Sequence, residues 1–85
     1  MGEEIVEIGK ITHFFSKISV AVIELKAPLN VGDTIVIKGP NTDFLQVIDS
    51  MQIEHNNIQR AEKGQSIGLK VLQRVRETDT VYKKA

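Results

Sequence analysis

The chain of 85 residues has no cysteine and no tryptophan. The lack of thiols excludes disulfides, thiolate metal sites and thiol nucleophiles, and it fits a reducing compartment. Histidine is scarce. Only His13 and His55 occur, and neither has the H-x-x-x-H or carboxylate spacing of a metal site. There is no G-x-S-x-G elbow, no phosphate-binding P-loop and no G-x-G-x-x-G turn, so serine-triad and nucleotide chemistry find no motif. Aromatics are few: Phe14, Phe15, Phe44 and Tyr82. Base-stacking platforms are therefore poorly supplied. No apolar run approaches the ~20 residues of a membrane span. The opening MGEEIVEIGK lacks the basic-then-apolar order of a signal peptide. The expectation is a cytoplasmic chain with no cofactor, no metal, no catalytic residues and no membrane partner.

The length allows one domain over 1–85, burying roughly 60–65% of its unfolded surface. The most informative stretch is LNVGDTIVIKG, Leu29 to Gly39. A turn at Asn30 to Asp33, with Gly32 free to take a positive φ, feeds a β-branched strand. Thr34, Val36 and Lys38 alternate there with Ile35 and Ile37, giving one apolar face. Gly39-Pro40 ends it.

Around this unit the chain reads as strands and turns. Glu3 to Phe15 predicts a long strand whose apolar face changes parity across Gly9-Lys10, the signature of a β-bulge. On that reading Val6 and Ile8 share one face, and Ile11, His13 and Phe15 share the other. A turn at Ser16-Lys17 leads to a second strand over Lys17 to Leu25. Asp43 to Glu54 predicts one continuous strand, with Leu45, Val47, Met51 and Ile53 in a row and Asp49 between them. That acid is expected at a bulge or accepting backbone N–H bonds. Arg60 to Lys63 predicts a helical turn ended by Gly64. Strands over Ser66 to Leu72 and Thr80 to Lys83 follow, separated by a polar loop around Val75. His13 is expected as a partly buried, hydrogen-bonded side chain.

Charge is balanced overall but uneven along the chain. Met1 to Glu54 holds eight acidic and four basic residues, whereas His55 to Ala85 holds three acidic and seven basic ones. Arg60, Lys63, Lys70, Arg74 and Arg76 fall in the second part and form the candidate RNA-binding set, suited to phosphate contacts. The competing reading is ordinary surface charge.

The order GKITHFF, LNVGDTIVIKG, VIDSMQIEH and IQRAEKGQSIGLKV resembles domain 2 of translational GTPases such as elongation factor Tu. It carries Val31-Gly32-Asp33-Thr34-Ile35, Ser50-Met51-Gln52-Ile53 and the Ala61 to Gly68 segment in the order of that family. Gly39-Pro40-Asn41-Thr42-Asp43-Phe44 looks closer to small stand-alone elongation-factor-like proteins and to the C-terminal domain of collagenase-like peptidases. The resemblance spans about residues 5–83. It implies a closed six- to seven-stranded antiparallel Greek-key β-barrel of the translation-protein type. It further implies a binding module for tRNA or ribosomal RNA. The alternative is a protein-interaction module docking on a translation or tRNA-modification enzyme, with Phe44, Ile48 or Phe14 on its outer face. The turn before the last strand, Arg76-Glu77-Thr78-Asp79-Thr80, lacks the family's glycine and must find another geometry.

Overall fold

Alternation in Leu29 to Gly39 does what its pattern requires. Asn30 and Asp33 are joined by two bonds: the Asn30 N–H donates to the Asp33 Oδ2 at 2.9 Å, and the Asp33 N–H donates to the Asn30 carbonyl at 3.1 Å. Gly32 sits between them at φ +97°. Ile35 and Ile37 then point fully into the core.

The computed structural model describes residues 4–84. These form ten strands: β1 (Ile5–Phe15), β2 (Val20–Leu25), β3 (Leu29–Asn30), β4 (Thr34–Gly39), β5 (Thr42–Val47), β6 (Met51–Ile53), β7 (Asn56–Ile58), β8 (Arg60–Ala61), β9 (Ser66–Lys70) and β10 (Thr80–Lys84). Eight pair in the order β5-β4-β10-β1-β2-β9-β6-β7, and β3 pairs with β8 separately. Every ladder is antiparallel. The fold is all-β, as expected.

The closed barrel of six or seven strands is not formed by backbone pairing among the described residues. The ladder ends at β5 on one side and β7 on the other. β6 meets β9 at a single register pair, Gln52 with Gly68, and then diverges. One side chain links β5 to the end of β9. The Gln46 Nε2 on β5 donates to the Lys70 carbonyl at 3.0 Å, and the Leu72 N–H donates to the Gln46 Oε1 at 2.9 Å. An amide side chain carries one donor and one acceptor arm, so it can bridge two strands that share no backbone ladder.

β1 holds two bulges where one was expected. Ile8 is the extra residue against β10, one position before Gly9-Lys10, and Thr12 is the extra residue against β2. Each extra residue reverses the side-chain parity that follows. Ile8 and Ile11 therefore both point inward, while His13 and Phe15 turn outward. Gly9 is needed at the first crossing. A Cβ there would stand 2.5 Å from the Glu24 carbonyl oxygen.

The expected single strand over Asp43 to Glu54 is broken between Val47 and Met51. There the Ile48 backbone bonds to the β3–β4 turn, donating to the Asp33 carbonyl and accepting from the Gly32 N–H, each at 2.9 Å. The apolar row consequently splits. Leu45 and Val47 face out, while Phe44, Gln46, Ile48 and Met51 face in. Arg60 and Ala61 make β8 rather than a helical turn, because the Val31 N–H and Gln59 carbonyl bring that segment alongside β3.

The glycine-free turn before β10 closes by other means. Thr78 adopts φ +79°, and the Asp79 carboxylate accepts the Arg76 N–H at 2.9 Å. Beneath it, Val75 is buried in the core with Ile8, Ile11 and Leu69. No buried side-chain nitrogen or oxygen lacks a partner among the described residues.

Candidate functional site

The outer face of β1, β2, β9, β6 and β7 carries a row of positions set by register: His13, Val22, Gly68, Gln52 and Asn57. Gly68 has no side chain, so the row dips in the middle. The result is an open groove of about 420 Å³. Phe15, Ile18, Val20 and Val22 form one wall. Gln52, Glu54 and His55 form the other, with Gly68 between. The apolar wall is exposed to solvent: Phe15 is 47% and Ile18 60% exposed.

Local sequence explains both walls. The Thr12 bulge turns Phe15 outward, and the four-residue turn after it lifts Ile18 beside it. On the opposite side, β6 and β7 are joined by a two-residue turn, Glu54-His55, at φ 51° and 68°. Positive φ at both central positions is the requirement of a type I′ hairpin, usually met by Asn-Gly. A Glu-His pair meets it at a cost of order 1–3 kcal/mol per residue, a strain that tends to collect at functional sites. Ser19, also at positive φ, lies in the chain between Ile18 and Val20 of the other wall.

The polar wall presents an amide, a carboxylate and an imidazole, from Gln52, Glu54 and His55. The Gln52 Nε2 donates to the Asn57 Oδ1 at 3.1 Å, and both residues are exposed. An apolar shelf facing polar side chains suits an extended polypeptide, whose own backbone groups are unpaired.

His13 is exposed rather than partly buried. Its Nδ1 lies 3.4 Å from the Glu77 Oε2, and its ring packs 4.4 Å from that of Phe15. Asp49 is exposed in the break between β5 and β6, not set in an apolar row. No group of three or more His, Asp or Glu side chains is placed to hold a metal among the described residues. Phe44 and Ile48, expected on an outer face, lie in the core, and Phe14 packs against it. Sequence reasoning missed Phe15, Ile18, Val20 and Val22 as a surface; the four apolar residues so close together were the available signal.

The five basic residues do not converge. Lys63 lies near the Leu25 end of β2, where the Gly64 N–H donates to the Leu25 carbonyl, and Arg60 stands opposite Asn30 on β3. Lys70 pairs with Val20 at the other end, about 17 Å away at 3.3 Å per residue. Arg74 and Arg76 follow on the loop to β10, which bonds to Ile11. Arg60 is already engaged: its Nε is 2.6 Å from the Glu62 carboxylate, which holds the guanidinium pKa above its ordinary value. No helix is long and apolar enough to cross a membrane among the described residues.

No family model matches the chain. It is 46% identical over 78 residues to an uncharacterized protease of Methanocaldococcus jannaschii, covering 91% of this chain and 19% of that protein. It is 36% identical over 78 residues to a collagenase of Porphyromonas gingivalis, covering 89% of this chain and 22% of the collagenase. The chain thus spans about a fifth of the length of these relatives. Among solved structures, the C-terminal domain of a Geobacillus thermoleovorans protein described as a U32 peptidase superposes with a TM-score of 0.87 at 21% identity, over 93% of this chain and 92% of that one. The selenomethionine variant of that domain gives 0.85 at 20% identity, over 89% of this chain and 96% of that one.

These findings overturn the expected translation module for tRNA or ribosomal RNA. The homologues are protease segments, not translation factors. The Gly-Asp and Ser-hydrophobic motifs that carried the expectation are turn and strand signals here, as Gly32 and Asp33 show, and such geometry is shared by folds with different partners. Of the families that the sequence resembles, the collagenase-like peptidases fit the relatives found: these are named a protease and collagenases, and the fold is that of the C-terminal domain of a protein described as a U32 peptidase.

Proposed function

We propose that this chain is a protease-associated domain that binds extended polypeptide and leaves cleavage to a peptidase domain. The catalytic part is a peptidase domain preceding β1 in the same polypeptide or supplied as a separate chain. The observation that carries this reading is the identity to proteases over one fifth of their length. The open groove beside Gly68 supports it, since its apolar wall and the polar side chains facing it suit an unfolded chain. A relative bears the name collagenase. Collagen strands released from the triple helix have extended backbones with unpaired carbonyls, which suits this groove. The finer architecture, a translation-factor-like barrel closed at its seam by Gln46, belongs to the same proposal as shape, without the partners of that family.

The test is fluorescence anisotropy of fluorescein-labelled denatured collagen titrated with this chain. Saturable binding that Gly68→Val weakens at least tenfold supports the reading. Absence of binding at near-millimolar protein contradicts it, as does equal binding by a folded variant.

A further inference from the structure

A second exposed apolar surface lies outside the groove. Register places Glu7, Tyr82, Val36 and Leu45 in one row across β1, β10, β4 and β5, and Val47 opposite Thr34 in the next. Leu45 and Val47 are 53% and 50% exposed. Val36 is 8% exposed yet stands outside the core cluster, so its cover comes from neighbours on the outer face. Ile5, at the start of β1, pairs with Lys84 on the same face. Charges rim the surface: Asp43 lies opposite Lys38, and Glu7 bonds Lys26 at 2.8 Å.

We infer that this β4–β5–β10 face is the docking surface for the peptidase domain, an inference that rests on the protease-associated reading. Its position selects the occupant. The Geobacillus domain is C-terminal in its protein, so the rest of that protein enters through its first strand. In this chain the corresponding strand begins at Ile5, beside Tyr82 and Lys84. A peptidase domain attached there meets this face at an effective concentration on the order of millimolar. The relatives hold about four-fifths of their length outside the matched segment, ample to cover it. Inter-domain interfaces bury roughly 600–1,500 Å², and a five-residue apolar centre with a charged rim has their composition. The groove at Phe15 is left open to polypeptide.

The test is hydrogen exchange on two forms of the sequence: this chain alone, and the P. gingivalis collagenase with its matching segment replaced by this chain. Exchange over residues 34–47 is expected to slow about tenfold in the chimaera, and Leu45→Asp with Val47→Asp is expected to abolish the slowing. Equal exchange in both forms overturns the inference, and so does slowing confined to residues 15–22. Self-association of the isolated chain that Leu45→Asp disrupts assigns the face to a second copy and also overturns it. If the chimaera does not fold, the intact M. jannaschii protease is compared with its matching segment expressed alone, with the same outcomes. Binding of denatured collagen by the isolated chain is read separately, so loss of docking with binding intact removes this inference and leaves the proposed function standing.

Discussion

Gly68 stands directly opposite Val22 in the β2–β9 ladder, and the missing side chain there makes the groove. A Cβ at Gly68 meets only the Val20 Cγ1 at 3.6 Å and the Gln52 carbonyl at 3.9 Å, both ordinary contacts. Its φ is not among the positive ones. Gly68→Val is therefore expected to change stability by no more than about 1 kcal/mol, since a β-branched side chain suits a strand and the unfolded chain loses freedom. Chemical denaturation checks this and qualifies the variant for binding experiments.

Gly39 makes the contrasting case. A Cβ built on it collides with the carboxylate of Asp79, which is 2% exposed and tied to the Arg76 N–H. Gly39→Ala is expected to destabilise by about 1–3 kcal/mol through overpacking. Asp79→Ala also destabilises, by the lost turn bond. The double variant is expected to lose less than the two single losses combined, because removing the carboxylate makes room for the methyl. Denaturant midpoints of all four proteins give the coupling.

Gln46→Leu cuts the link between β5 and the end of β9. It removes the bonds to the Lys70 carbonyl and Leu72 N–H while Gln46 itself is only 6% exposed. Two backbone groups lose their partners, so a loss of about 2–4 kcal/mol is expected, with faster exchange at Leu72. Urea denaturation and amide exchange read both effects.

The Glu7 carboxyl titrates below its ordinary range because Lys26 donates a hydrogen bond to it and adds its charge. With a folded pKa below the unfolded one, this pair stabilises above the unfolded pKa and loses its effect as pH falls through the folded one. Both side chains are solvent-exposed, so the change in stability is small. Carbon NMR titration of Glu7 is expected to give a midpoint that moves up in Lys26→Ala.

Where structure follows from neighbours in sequence, the sequence was sufficient. Leu29 to Gly39 folds as read, because alternation, Gly32 and the Asn30–Asp33 turn are all local. Class and antiparallel pairing followed from the same kind of signal. The bulge at Thr12 was not legible, since it exists only in the match between β1 and β2, and it decides that His13 and Phe15 face solvent. The break between Val47 and Met51 likewise depends on the distant backbone of Gly32 and Asp33. The groove joins side chains from four strands and hangs on register at Gly68, which no single stretch encodes. Charge counting pointed to the second half of the chain, but strand direction places Lys63 and Lys70 at opposite ends of β2.

The central claim, a polypeptide-binding domain serving a peptidase, is tested most directly by exchange of domains. The rate of denatured-collagen cleavage is measured for the P. gingivalis collagenase, for the same protein lacking its matching segment, and for the protein carrying this chain in that place. The account predicts that deletion lowers kcat/KM mainly through KM, that this chain restores it, and that Gly68→Val in the restored protein raises KM again. Cleavage indifferent to the deletion contradicts the account, as does a folded chimaera no better than the truncated enzyme.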